Sequence, residues 1–162
     1  MRLLLASAAL LAGCAPTPRP VAPAPLTAIA FHVSSWGRPV SSWTIAPDGS
    51  GSYTHAEGPG FGTRLVTRKV DAGAQGFARI RALLAPAERA AAAPPGCGQR
   101  WTDFPYGAAV WTGAAGKAEI PFDLGCKNPA LKPIHEALQA AGNQMQTWSK
   151  AGQVIEDKEI TP

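Results

Sequence analysis

TAIAFHVSSWGRPVSSWTIAPDGSGSYTHA, residues Thr27 to Ala56, switches between apolar and polar side chains at nearly every step. Ile29, Phe31 and Val33 stand against Ala28, Ala30, His32 and Ser34, the period-two pattern of a strand with one buried face. Trp36-Gly37-Arg38-Pro39 interrupts the run as a turn. A second strand follows from about Val40 to Ala46, with Trp43 and Ile45 on one side and Ser42 and Thr44 on the other. Pro47-Asp48-Gly49-Ser50-Gly51 then reads as a hairpin turn, since Pro presets φ and Gly accepts positive φ. Ser52 to Ala56 returns as a third strand, with Tyr53 and His55 on one side. Such a meander has one apolar face, and that face needs a cover.

The cover is sought downstream. Gly58-Pro59-Gly60-Phe61-Gly62 is a loop and Thr63 to Val70 a fourth strand. Asp71 is placed to cap a helix starting near Ala72, in which Phe77, Ile80, Leu83 and Leu84 share a face. Pro86 suits the first turn of a short second helix, Ala87 to Ala92, which Pro94-Pro95-Gly96 ends. Trp101 to Tyr106 is an aromatic-rich connection. Ala108 to Thr112 and Lys117 to Leu124 form another hairpin, with Ile120, Phe122 and Leu124 alternating against Glu119 and Asp123. The clearest helix comes last. Asn128 caps it and Pro129 opens it, and Leu131, Ile134, Leu138, Ala141, Met145 and Trp148 recur every third or fourth residue. Lys132, Glu136, Gln139, Asn143 and Gln146 take the other faces, so the stripe is built to dock on a sheet.

These elements predict an α+β fold: a mainly antiparallel sheet with one or two middle helices and a long C-terminal helix packed on one face. The single domain spans 27–152, and 153–162 reads as a polar tail. Pro39-Val40, Trp43-Thr44-Ile45, Asp48-Gly49 and Tyr53, followed by a helix and a Cys-bearing loop, resemble a group of small uncharacterised bacterial envelope domains. That resemblance covers about 20 residues. It implies a fold and no particular activity; Trp36 and Gly37 stand where other members often carry extra Cys.

The N-terminus carries different information. Met1-Arg2 is a short positive start, and Leu3 to Leu11 form an apolar run far short of the roughly 20 residues a spanning helix needs. The pattern fits a secretory signal over 1–13. Leu11-Ala12-Gly13-Cys14 resembles the lipobox of bacterial lipoproteins. In that family the thiol at the Cys14 position receives a diacylglycerol, and cleavage leaves this Cys first, its amine acylated as well, typically with palmitate. A thiolate is the natural nucleophile for such an alkylation, and two or more chains hold a protein firmly to a bilayer. Ala15 rather than Asp follows the Cys, which in this family implies the outer membrane. Residues 14–26 are then the lipidated Cys and a proline-rich spacer, APTPRPVAPAPL after Cys14, whose twelve residues reach roughly 35–40 Å in polyproline geometry.

Composition narrows the function classes. The net charge is +4, and its bases are scattered, so no clustered basic face points to nucleic acid. Three Cys are present. Lipidation takes Cys14, and in an exported chain Cys97 and Cys126 are expected to form a disulfide. His32, His55 and His135 lie in three separate elements without zinc spacing, and no metal or other cofactor is expected. Ser34, Ser35, Ser41 and Ser42 lack the G-x-S-x-G surroundings of an esterase elbow. Asp103 and Asp123, with Glu119 or Asp48, are carboxylates without a visible partner. Gly58 to Gly62 lacks the Lys-Ser/Thr of a phosphate loop. No catalytic residue is assigned, and an enzyme is the less favoured reading. The aromatics Trp36, Trp101 and Tyr106 sit in connections and are the candidate binding surface. The expectation is an outer-membrane-anchored lipoprotein facing the periplasm, with a small binding or envelope-support domain. Its partners would be the membrane, through the lipid, and an envelope protein or peptidoglycan. The alternative is a hydrolase with a His and a carboxylate assembled by the fold.

Overall fold

A computed structural model describes residues 25–60 and 62–160. The leader 1–13, Cys14, spacer residues 15–24, Phe61 and the last two residues lie outside the described residues. Four strands come first: β1 (Leu26–Ser35), β2 (Arg38–Ile45), β3 (Ser50–Glu57) and β4 (Arg64–Asp71). Helix α1 (Gly73–Ala90) follows, then a two-residue strand β5 (Gln99–Arg100), the hairpin β6 (Tyr106–Gly113) and β7 (Gly116–Asp123), and another short strand, β8 (Cys126–Lys127). A single 3-10 turn, Pro129–Leu131, leads into α2 (Lys132–Ser149), and β9 (Val154–Glu159) ends the order. The fold is α+β, as the patterning predicts.

Seven strands make one antiparallel sheet in the order β7-β6-β1-β2-β3-β4-β9. Its register explains the core. Ile120, Ala109, Phe31, Trp43, Tyr53 and Arg68 lie side by side across the sheet. The adjacent row on the same face brings Trp111, Ile29, Ile45 and Val70 together. Both helices cover this face. Ile80, Leu84 and Ala87 of α1 and Ile134, Leu138, Ala141 and Met145 of α2 join all of those residues but Arg68 in one buried cluster. Phe31 is the hub, stacked at 5.4 Å on both Trp43 and Phe122. The opposite face, with His32, Ser42 and Thr44, carries small and polar groups, so one layer of helices suffices.

Helix α2 matches its stripe: Leu131 through Met145 are buried and Trp148 half-buried. Asn128 Oδ1 accepts the Ala130 N–H at 3.0 Å, and Pro129 opens the turn, so the cap sits where the sequence places it. No described helix is long and apolar enough to cross a membrane.

Three expectations are corrected. Residues 153–162 are not merely a tail, because β9 adds a seventh strand against β4. Val154-Ile155-Glu156-Asp157-Lys158-Glu159 is exposed throughout, so it has no buried face to betray it in the sequence. It is held by ladder bonds, by Arg64 Nη2 to Asp157 Oδ2 at 3.2 Å, and by Thr67 Oγ1 donating to Glu156 at 3.4 Å. Pro86 does not begin a second helix; it lies inside α1, which continues to Ala90. Proline there forfeits one ladder bond, but the surrounding alanines are strong helix formers, and Leu84 and Ala87 are both fully buried. Asp71 is the last residue of β4 instead of the cap of α1, whose N-cap, Ala72, makes no side-chain cap bond. The chain turns there through a backbone contact, Ala72 N–H to Gly49 O at 3.0 Å. Gly49 has φ +84, and a Cβ on it would collide with the Gly73 backbone.

Candidate binding groove at the disulfide pole

Cys97 and Cys126 form a disulfide, 29 residues apart in sequence. Around it two segments run antiparallel. Gln99 pairs with Lys127 and Arg100 with Cys126, Trp101 N–H donates to Gly125 O at 2.9 Å, and Leu124 N–H donates to Pro105 O at 3.0 Å. Asn128 Nδ2 reaches Gly96 O at 2.7 Å, tying this ribbon to the start of α2. The aromatic connection is thereby fastened along its length.

Trp36 arrives from the other side. It and Gly37 form the two-residue turn between β1 and β2, with φ of 54° and 74°. Two consecutive positive φ values are what a type I′ hairpin demands. Glycine meets that easily; tryptophan does so against the steric preference of L-residues.

The two structures face each other across a groove of about 650 Å³ lined by Trp36, Trp101, Phe104, Tyr106, Phe122 and both half-cystines, among others. Trp36 is 63% exposed, Trp101 53%, Tyr106 43% and Phe104 39%. The three aromatics singled out from the sequence thus converge on one concavity. Phe122, stacked on Phe31, connects its floor to the core.

Two of the charges at the groove pair with each other. Arg100 Nε donates to Asp123 Oδ2 at 3.2 Å, and Asp123 Oδ1 accepts Gly125 N–H at 2.8 Å. The Lys127 ammonium lies 4.9 Å from the ring centres of both Trp101 and Phe104, within cation–π range. Asp103 also lines the groove, in left-handed backbone at φ 72°. Arg100, Asp123 and Lys127 escape a reading of single residues. No pairing register announces them: the ribbon aligns Arg100 with Cys126, and the Arg100 side chain reaches past that position to Asp123.

The histidines stay apart. His32 is exposed on the helix-free face, and His135 is on α2, where burial lowers its pKa while Asp123 opposes the shift. His55 lies on the helix-facing side of β3, with Nε2 2.8 Å from Glu57 Oε1. It lines a second, smaller hollow of about 240 Å³ with Tyr53, Glu57, Arg68 and Ser149. Burial raises the Tyr53 pKa, opposed by a hydrogen bond with Ser41. The Ser149 hydroxyl donates to Gln146 O at 2.8 Å, and among the described residues no Ser or Thr hydroxyl hydrogen-bonds to His55. Of the remaining carboxylates, Asp48 accepts from Ser50 in its turn, which lowers its pKa, and Glu119 pairs with Lys117. Gly58 to Gly62 falls in the connection between β3 and β4.

No family model, curated protein or solved structure matches the chain.

Proposed function

We propose that this protein is a lipoprotein anchored through Cys14 to the outer membrane, whose domain binds an envelope component in the groove between Trp36 and the disulfide ribbon. The observation that carries the binding half is the convergence of Trp36, Trp101 and Tyr106, all well exposed, in one hollow. Exposed aromatics gathered in a concavity mark interaction sites more often than solvent-facing filler. The strained backbone of Trp36 points the same way, because residues held in costly conformations concentrate where function requires them. The anchor half rests on Leu11-Ala12-Gly13-Cys14 and the apolar run before it. A disulfide in the domain agrees with export to an oxidising compartment.

A hydrolase has one observation in its favour, the His55–Glu57 pair beside a hollow. It wants a nucleophile on the other imidazole nitrogen, and Nδ1 is buried without a partner. Turnover of an ester or amide that His55→Gln abolishes would move the reading there.

The anchor is tested by expressing the full chain with Cys14→Ser in cells fed a labelled fatty acid. The parent should carry label and sediment with membranes; the variant should lose both. Label and membrane association that survive the substitution overturn the anchor. Binding is tested in the same cells by a photo-crosslinker at position 102, where the exposed Thr102 lines the groove beside Trp101; it should capture an envelope component.

A further inference from the structure

We propose that the groove takes a neutral glycan chain, with sugar rings stacked on Trp36, Trp101 and Tyr106 and hydroxyls bonded at the Arg100–Asp123 pair. This rests on the reading of the groove as a binding site and names the class of ligand it takes.

Charge comes first. The lining carboxylates, Asp103 and Asp123, face one lining cation, Arg100, in direct contact with Asp123, and a second cation, Lys127, stands outside the lining against the rings of Trp101 and Phe104. A phosphate-rich or polycationic ligand would meet as much repulsion as attraction. A neutral one meets none.

Hydrogen-bonding capacity separates the neutral candidates. A proline-rich peptide offers carbonyl acceptors and almost no donors, so it wants donors from its groove. Here the walls present carboxylates as well as a guanidinium, and carboxylates only accept. Sugar hydroxyls both donate and accept, and they use the two kinds of group together. Asp123 is already held at both oxygens, by Arg100 and by Gly125 N–H. Its remaining lone pairs are therefore presented in a fixed direction. Ring chemistry agrees. The face of an indole or phenol is the negative part of its quadrupole and attracts positively polarised hydrogens, which line the apolar face of a pyranose. The Lys127 ammonium beside Trp101 and Phe104 shows those rings attracting positive charge.

Space and placement complete the case. A hollow of about 650 Å³ falls within the roughly 300–1,000 Å³ of small-ligand sites. The disulfide and the ribbon's backbone bonds hold its wall before any ligand arrives, which lowers the cost of ordering it. The chain's own proline-rich spacer cannot fill it. The spacer joins the domain at Pro25, whose carbonyl accepts Ala114 N–H at the far end of β1. Ten residues of β1 separate that end from Trp36, roughly 33 Å. Residues 15–25 pulled taut reach at most about 40 Å, so only their first residue or two could touch the groove. The ligand comes from elsewhere, on the side away from the tether.

The test uses the full chain in a zwitterionic detergent, because alkyl glycosides carry sugar headgroups of their own. The probe is chitotetraose, a linear β-1,4-linked N-acetylglucosamine tetramer, titrated by calorimetry and tryptophan fluorescence. Saturable one-to-one binding is expected, with little change on raising the salt concentration. Trp36→Asn and Trp101→Ala should each weaken it about tenfold or more, the loss of one aromatic hot spot, while Trp36→Tyr restores most of it. Unchanged circular dichroism shows that the variants are folded. Absence of saturable binding, or binding indifferent to both tryptophans, overturns the proposal. A decaproline peptide is the second probe: if it binds with Trp36 dependence and the sugar does not, the sugar assignment is wrong and the groove reading stands. If neither binds and the crosslinker at position 102 captures nothing in cells, both fall.

Discussion

Tryptophan at a left-handed turn position is an unfavourable choice for folding. A type I′ turn prefers Asn-Gly, because asparagine tolerates positive φ and tryptophan does not. Holding a bulky L-residue there costs on the order of 1 kcal/mol, and Trp36, 63% exposed, recovers little of it through burial. Trp36→Asn should therefore raise the stability of the protein by about 0.5–1 kcal/mol while removing ligand binding, a trade between stability and activity confined to one side chain. Urea midpoints of parent and variant measure the first, and titration of the groove the second. A variant less stable than the parent would mean that the indole is part of the fold and owes its position to packing. Trp36 and Trp101 were legible because they sit in connections outside the apolar alternation; Tyr106, placed in a connection by the sequence reading, opens β6 instead, paired with Ser34 and Asp123. Arg100, Asp123 and Lys127 were not legible, since charged residues on connections are usually solvated and only the ribbon around the disulfide gives these partners.

At the scale of elements, α2 closes the core. Leu138 lies mid-stripe, is 2% exposed and belongs to the main buried cluster. Gln139, one residue on, faces water. Leu138→Ala should cost roughly 2–5 kcal/mol through lost burial and a residual cavity; Gln139→Ala should stay within about 0.5 kcal/mol. Urea unfolding of a chain beginning at residue 25 compares the two. Equal midpoints would show that the stripe is not core and leave α2 as a surface for a partner. Periodicity made this helix readable to its cap, and made β1 to β4, β6 and β7 readable within a few residues at each end. It failed where burial does not set the pattern. β9 is wholly exposed, so nothing alternates; its place is fixed by backbone pairing and by Arg64–Asp157. Pro86 misled because local preference argued for a break, whereas Leu84 and Ala87 gain more from one continuous helix against the sheet.

As a whole the molecule has two poles. At one, Pro25 bonds to Ala114 in the turn between β6 and β7, and the spacer leaves. At the other, the turn after β1 and the disulfide ribbon hold the groove. β1 joins them, so the groove lies roughly 33 Å from Pro25, and the proposed tether through Cys14 would present it on the far side of the domain. Polarity of this kind could not be read from the sequence, because it depends on β6 and β7 lying beside β1 across a long connection. It makes the most direct measurement a comparison of the two poles in living cells. A photo-crosslinking residue is placed at the groove position 102 in one strain and at the exposed position 114 in another, in the full chain with Cys14 intact. Adducts with cell-wall glycan are expected from position 102, lost when Trp101→Ala is added, and none above background from position 114. Equal capture from both poles, or capture from 114 alone, would contradict the groove reading.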